Sequence, residues 1–289
     1  MRKLFYRQLV EARREMLSIY EAIDLTLHEA VNAFVAGDRK LATKAMNKTL
    51  RIDARCANLE ALCYNLIATQ GPVASDFRLL QTIIYTDFCL QRMCDKVRRI
   101  ARAAKLRISS DIELPDELIE LVGQEASVVY RVMGTAASVL VVNDLGLLRV
   151  LNEQEESAHG IYEEFFRAYN RMAAVQLGDD SSYDDLRRVI MVSRYLDRCA
   201  QYAIDAAGRV MFLLTGQRMN QVDLAKFDDE DLDALRIPSG EGVLLRPDVD
   251  ARAVAAIPVE EVPTELKRLI ESAVDEDDLE DEEPDAEEE

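Results

Sequence analysis

Apolar side chains recur at every third or fourth position near the start of the chain: Phe5, Leu9, Ala12, Met16, Ile19, Ile23, Leu27, Ala30 and Phe34. That alternation marks one face of a long helix packed in a bundle. Gly37-Asp38 interrupts it, and a second periodic stretch runs from Arg39 to Thr69, where Gly71-Pro72 stops it. A third begins near Val73, with Ser75 and Asp76 suited to a first helical turn, and fades around Arg107. Beyond Ile108-Ser109-Ser110-Asp111, Pro115 opens the next helix, which ends near Asn143-Asp144-Leu145-Gly146. A fifth ends at Leu177-Gly178-Asp179-Asp180. The sixth runs from about Ser182 to Thr215-Gly216, with Leu186, Val189, Ser193, Leu196, Ala200, Ala203, Ala207, Val210 and Leu214 on one stripe. Six helices of roughly 30 residues, about 45 Å each, with short connections, predict antiparallel sequential neighbours.

The two triplets share wording. The third helix of the first contains Leu90-Gln91-Arg92-Met93-Cys94-Asp95; that of the second contains Tyr195-Leu196-Asp197-Arg198-Cys199-Ala200-Gln201. Laying Arg92 over Arg198 aligns the helix breaks upstream of each, so the chain is an internal duplication. The predicted class is all-α: two tandem three-helix bundles over 1–108 and 109–216. A poorly structured extension follows over 217–270, with one short amphipathic helix at 263–270, and then a disordered acidic tail over 271–289.

Charge belongs mostly to that tail. The net charge is -19, yet residues 271–289 hold 13 carboxylates and no Lys or Arg, and 217–270 hold 12 acidic and 7 basic residues, which leaves 1–216 at -1. A near-neutral body gives little support to a general basic patch for nucleic acid, and no nucleic-acid partner is expected. Five cysteines, Cys56, Cys63, Cys89, Cys94 and Cys199, lie in apolar-periodic stretches with no CxxC and no zinc spacing; they read as buried thiols in a reducing compartment. The N-terminus meets charges too soon for a signal peptide, and the apolar stretch 139–142 is far too short to span a bilayer, so a cytoplasmic protein without membrane insertion is expected. His28 and His159 read as surface or boundary residues, and no phosphate-binding loop or nucleophile elbow is present. No catalytic constellation is found.

The duplicated triplet and its phrases resemble the PhoU family of phosphate-signalling regulators over about residues 1–216. Each half of that family carries a phrase like P-x-A-x-D-L-R near the start of its third helix and one like L-E-R-I-G-D within it. Here the first half reads Pro72-Val73-Ala74-Ser75-Asp76-Phe77-Arg78 and then 90–95, and the second reads Arg194-Tyr195-Leu196-Asp197-Arg198-Cys199-Ala200-Gln201. The resemblance implies a cytoplasmic, non-catalytic regulator, often a homodimer. It implies an adaptor that links the ATPase subunit of the phosphate ABC transporter to a sensor histidine kinase and represses the starvation response. It also implies a multinuclear iron or zinc cluster on each half, built from two acidic i,i+4 pairs on the second and third helices.

The metal-binding letters are eroded in this chain. The third-helix pairs are Gln91/Asp95 and Asp197/Gln201, and the second-helix positions read Thr49/Asp53 and Gln154/Ala158. Asp53, Asp95 and Asp197 are thus degenerate remnants, and no metal or other cofactor is expected. Asp87/Asp95 and Asp197/Asp205 are eight residues apart, about 12 Å of helix, too far to share one ion. Asp76, Arg78, Arg92, Asp95, Arg194, Asp197 and Arg198 are candidate docking residues on a face repeated in both halves; Asp76 and Asp185 also suit helix N-termini. The competing readings are a metal-storing or metal-sensing bundle and an accessory protein of a low-affinity phosphate carrier.

Overall fold

The computed structural model describes residues 2–107, 116–176 and 180–219, with a few isolated positions up to 236. Six long helices follow in chain order: α1 (Arg2–Ala36), α2 (Arg39–Gln70), α3 (Ala74–Arg107), α4 (Asp116–Val142), α5 (Gly146–Gln176) and α6 (Asp180–Thr215). They gather into two groups, α1–α3 and α4–α6. Pro115, the short helix expected at 263–270 and the acidic tail lie outside the described residues.

Local chemistry sets the helix ends. Gly37 takes φ 68°, a left-handed conformation that costs glycine little, and the Asp38 amide then donates back to the Ala33 carbonyl at 3.0 Å. Asp38 also opens α2, its carboxylate accepting from the Leu41 amide at 2.9 Å. Past α4, Asn143 supplies the left-handed residue at φ 54°, and Asp144 Oδ1 accepts from the Gly146 amide at 2.8 Å at the head of α5.

All nine residues of the α1 stripe are buried, and so are the described members of the α6 stripe, Val189 through Leu214. One contiguous apolar core runs through both groups. The third helices, α3 and α6, form the broadest interhelical contact, and α1 also meets α4. The halves of the duplication therefore pack as one body over these helices. All five cysteines are buried free thiols, and burial pushes Cys63, Cys89 and Cys199 up to about 12.

By length and composition α4 alone, among the described helices, is apolar enough to cross a membrane, so its apolar character extends well beyond residues 139–142. Half of its most apolar stretch is buried here, with Val122, Val129, Val132, Ala136 and Val139 in the core. Packing against α1, α5 and α6 accounts for the buried half of that stretch.

None of α1, α4 and α6 carries a basic residue in its own last turn. Their C-terminal carbonyls are met by arginines from other helices. Arg107 of α3 donates to the Phe34 and Val35 carbonyls of α1, the latter at 3.2 Å. Arg13 of α1 donates to Leu140 and Val141 of α4 at 3.2 and 2.9 Å. Arg78 of α3 donates to Leu213 of α6 at 3.2 Å. Each satisfies carbonyls that no amide of the same helix reaches, and each sets a cation at the negative end of a helix dipole. Burial lowers the pKa of Arg13, but a guanidinium starts so high that it stays charged. Tyr20 adds a second α1–α4 tie, its hydroxyl donating to the Met133 carbonyl at 2.9 Å.

Replacing Arg13 with Met keeps much of the volume and leaves two carbonyls unpaired. Arg13→Met is expected to lower unfolding free energy by about 2–3 kcal/mol, read from urea denaturation. A change within about 0.5 kcal/mol, the range of an ordinary surface substitution, would show that the cap carries no weight.

Candidate functional site

In the first group, the positions matching a metal cluster are held by a cation of the protein itself. Arg98 Nη1 lies 2.7 Å from Asp53 Oδ2 on α2, and Nη2 lies 3.7 Å from Asp95 Oδ1 on α3. The guanidinium thus spans the two carboxylates left to bridge the helices. Asp95 Oδ2 is also engaged by Lys96 at 2.9 Å and Arg99 at 3.0 Å. Burial pushes the Asp95 carboxyl up, but these two cations win and hold it below its ordinary value. Thr49 is buried, its hydroxyl donating to the Met46 carbonyl at 2.7 Å. Gln91 turns toward its own helix, Nε2 donating to Asp87 Oδ2 at 2.8 Å. Asp53 and Asp95 are therefore compensated already, and their surroundings do not suit a further divalent ion.

The second group differs. Asp197 accepts from Gln201 Nε2 at 3.1 Å. Burial pushes its pKa up, opposed by Arg198, His159, Gln201 and Arg194. Gln154 and Ala158 on α5 lie one residue before the positions that a constant offset between the halves gives. The offset of 106 that lays Arg92 on Arg198 places Glu155 and His159 opposite Thr49 and Asp53. Those two share the field of Asp197, whereas Ala158 is buried in the core. Burial raises the pKa of Glu155, with Asp205 and Asp197 adding and His159 opposing. Glu155, His159 and Asp197 bring one imidazole and two carboxylates into a common neighbourhood. Among the described residues, however, no three His, Cys, Asp or Glu side chains are placed to hold one metal ion.

Among the described residues two carboxylates are buried, of which the sequence reading names Asp87 only for its spacing from Asp95 and does not name Glu125. Asp87 is 1% exposed; burial pushes it up to about 6, with Glu60 adding and the Gln91 amide and Cys56 thiol opposing. Glu125 on α4 is 2% exposed, and its oxygens have no partner within hydrogen-bonding geometry among the described residues. Burial pushes it up to about 8; Asp197 adds to the shift and the nearby Ser193 hydroxyl opposes it. The signal lay in the pattern. Glu125 takes an apolar position in the series Leu118, Val122, Val129, Val132 and Ala136, as Asp87 does between Ile83 and Leu90.

The docking candidates fall into two kinds. Arg78 ties α3 to the end of α6, Asp95 is held by its three cations, and Asp76 sits in the first turn of α3. Arg92, Arg194 and Arg198 are exposed. Arg92 lies over the Phe88 ring, 5.0 Å from its centroid, and Arg198 reaches Gln201 Oε1 at 2.5 Å. The two third-helix faces differ in chemistry. Gln81, Phe88 and Arg92 on α3 correspond to Arg187, Arg194 and Arg198 on α6. Beside Phe88 a groove of about 280 Å³ opens between α2, α3 and α6. His28 is half-buried and stacked on Tyr130, ring centroids 3.5 Å apart, while His159 is exposed beside Glu163 at 3.6 Å.

A duplicated three-helix bundle with compensated carboxylates defines the class, and comparison with known proteins says what it is similar to. Residues 16–104, within α1–α3, match the PhoU domain model. The chain is 23% identical over 226 residues to the phosphate-specific transport system accessory protein PhoU homolog of Pseudomonas aeruginosa, across 78% of this chain and 91% of that one. It is 24% identical over 218 residues to PhoU homolog 1 of Methanothermobacter thermautotrophicus, across 75% and 97%. Among solved structures, PhoU from P. aeruginosa superposes with a TM-score of 0.67 at 21% identity, across 74% of this chain and all of that one. PhoU from Streptococcus pneumoniae gives 0.64 at 20%, across 74% and 99%. The first helix triplet thus matches the PhoU domain in sequence, and the six helices take the fold of the solved PhoU structures.

Two outcomes are expected. Protein purified without chelators is expected to hold no stoichiometric iron or zinc by elemental analysis. For Glu125, the folded pKa lies above the unfolded one, so its favourable neutral state is fully present below about pH 4.5 and lost as pH rises toward 8. Glu125→Gln is expected to flatten the fall in stability across that window, by at most about 1.4 kcal/mol per pH unit. Urea midpoints at several pH values check this; parallel curves for the two proteins would count against a neutral buried carboxyl.

Proposed function

We propose that this chain is a non-catalytic regulator of phosphate transport and signalling. It works in the cytoplasm as an adaptor between the ATPase subunit of a phosphate ABC transporter and a sensor histidine kinase, and it lowers uptake and the starvation response when phosphate is plentiful. The observation that carries this reading is the similarity, over three quarters of the chain, to proteins named as phosphate-specific transport system accessory proteins. The compensated carboxylates of the first group favour an adaptor over a metal-storage bundle, because Arg98 and its neighbours neutralise the groups that would capture metal.

Docking in this reading uses the outward faces of the third helices, where Arg92, Arg194 and Arg198 stand exposed. Asp76, Arg78, Asp95 and Asp197 shape those faces through contacts within the chain. Deletion of the gene is expected to switch on phosphate-starvation genes in phosphate-replete medium, measured by transcript levels. Full repression in the deletion strain would sink the proposal.

A further inference from the structure

Three described positions beyond α6 return to the six-helix body. Met219 is half-buried and packs against the core, where its Sδ lies 3.0 Å from the place a Cβ on Gly208 of α6 would take. Gly123, Gly134 and Gly160, also within helices, would each present a Cβ to open space. Leu232 is 1% exposed and belongs to the contiguous apolar core. Arg236 Nη2 donates to the Asn143 carbonyl at 3.3 Å, at the turn between α4 and α5. Lys226 and Ala234, by contrast, are exposed, so the chain meets the body at separate points.

The points of contact share a theme. Gly208 lies two turns before the end of α6, and Asn143 follows directly on the end of α4. Arg236 meets the carbonyl just past a helix end, as Arg13, Arg78 and Arg107 do from inside the bundle. Leu232 supplies the apolar part, since a leucine leaves water only where a core receives it. The six helices already account for the share of the chain that matches the solved PhoU structures, so these anchors are an addition to that fold.

We infer that the stretch carrying Met219, Leu232 and Arg236 is a strap that latches the C-terminal ends of α4 and α6, and that it opens as a unit of its own while the six helices stay folded. Burying one leucine favours a contact by roughly ten- to a hundredfold in its equilibrium constant. The stripes that hold the bundle bury many such residues. Opening therefore bares the seat of Leu232 and frees the Asn143 carbonyl without unpacking the first group, a local step of the kind that separates one cooperative unit from the rest.

Hydrogen exchange of the full chain, read by mass spectrometry, tests it. Amides around Leu232 are expected to exchange about ten- to a hundredfold more slowly than an unstructured chain, and far faster than those of α1. Exchange at the unstructured rate overturns the latch, and protection equal to that of α1 overturns the separate opening. Leu232→Asp is expected to abolish the protection around 232 and to speed exchange at the ends of α4 and α6, with α2 unchanged. Leu232→Ala should act in the same direction and serves where the aspartate variant unfolds. Unchanged exchange at α4 and α6, or equal acceleration in all six helices with both variants, overturns the inference.

A denaturation measurement on the full chain is independent of exchange. Alanine suits a helix interior better than glycine, but at position 208 its Cβ meets the Met219 sulfur. Gly208→Ala is expected to raise the urea midpoint more in a Met219→Ala chain than in the native one. Equal rises in the two backgrounds overturn the seat of Met219 on α6.

Discussion

Long helices end in carbonyls that nothing in their own sequence satisfies, and three of the six helices here solve this with arginines from their neighbours. Arg107 closes α1, Arg13 closes α4 and Arg78 closes α6. Apolar stripes alone permit two helices to slide by a turn with modest loss. A guanidinium that must meet particular carbonyls does not, so these contacts fix the register of α1 against α3, α1 against α4, and α3 against α6. Two of the three cross from one half of the duplication to the other, and the shared core follows from them as much as from apolar area.

The same physics governs the carboxylates. The two halves arose from one plan but neutralise their acids differently. In the first group the acids between α2 and α3 meet Arg98, Lys96 and Arg99. In the second, burial drives Glu125, Glu155 and Asp197 toward their neutral forms, and Asp197 adds to the shift of the other two. Position 98 corresponds to Ile204 in the second half, so the cation spanning Asp53 and Asp95 has no equivalent there. Asp95 therefore stays ionised through mild pH change, whereas Asp87 in the first group and Glu125 in the second respond to it.

Most of the fold was legible because its signal is local. The three-and-four spacing from Phe5 to Phe34 marks a buried face wherever the helix packs, and Gly37-Asp38 and Gly71-Pro72 act on their own backbone. The arginine caps were not legible, since Arg13 and Leu140 are 127 residues apart and nothing near either names the other. Glu125 and Asp87 lay between these extremes, visible as charges on an apolar stripe although their surroundings were not. On α5, Gln154/Ala158 and Glu155/His159 differ by one residue, about 100° of helix, and the offset that lays Arg92 on Arg198 already selects the second pair. The groove beside Phe88 draws on three helices, so no local pattern announces it.

The five thiols have a practical and biological consequence. A cysteine reacts as its thiolate, and here burial keeps that form scarce at every position the chain offers. Oxidants and electrophiles that modify accessible cysteines find little purchase on the native helices, so crosslinking or sulfenic acid formation would report unfolding first. The native chain is thus chemically silent toward thiol reagents, and one cysteine placed on an outer face would answer a label alone.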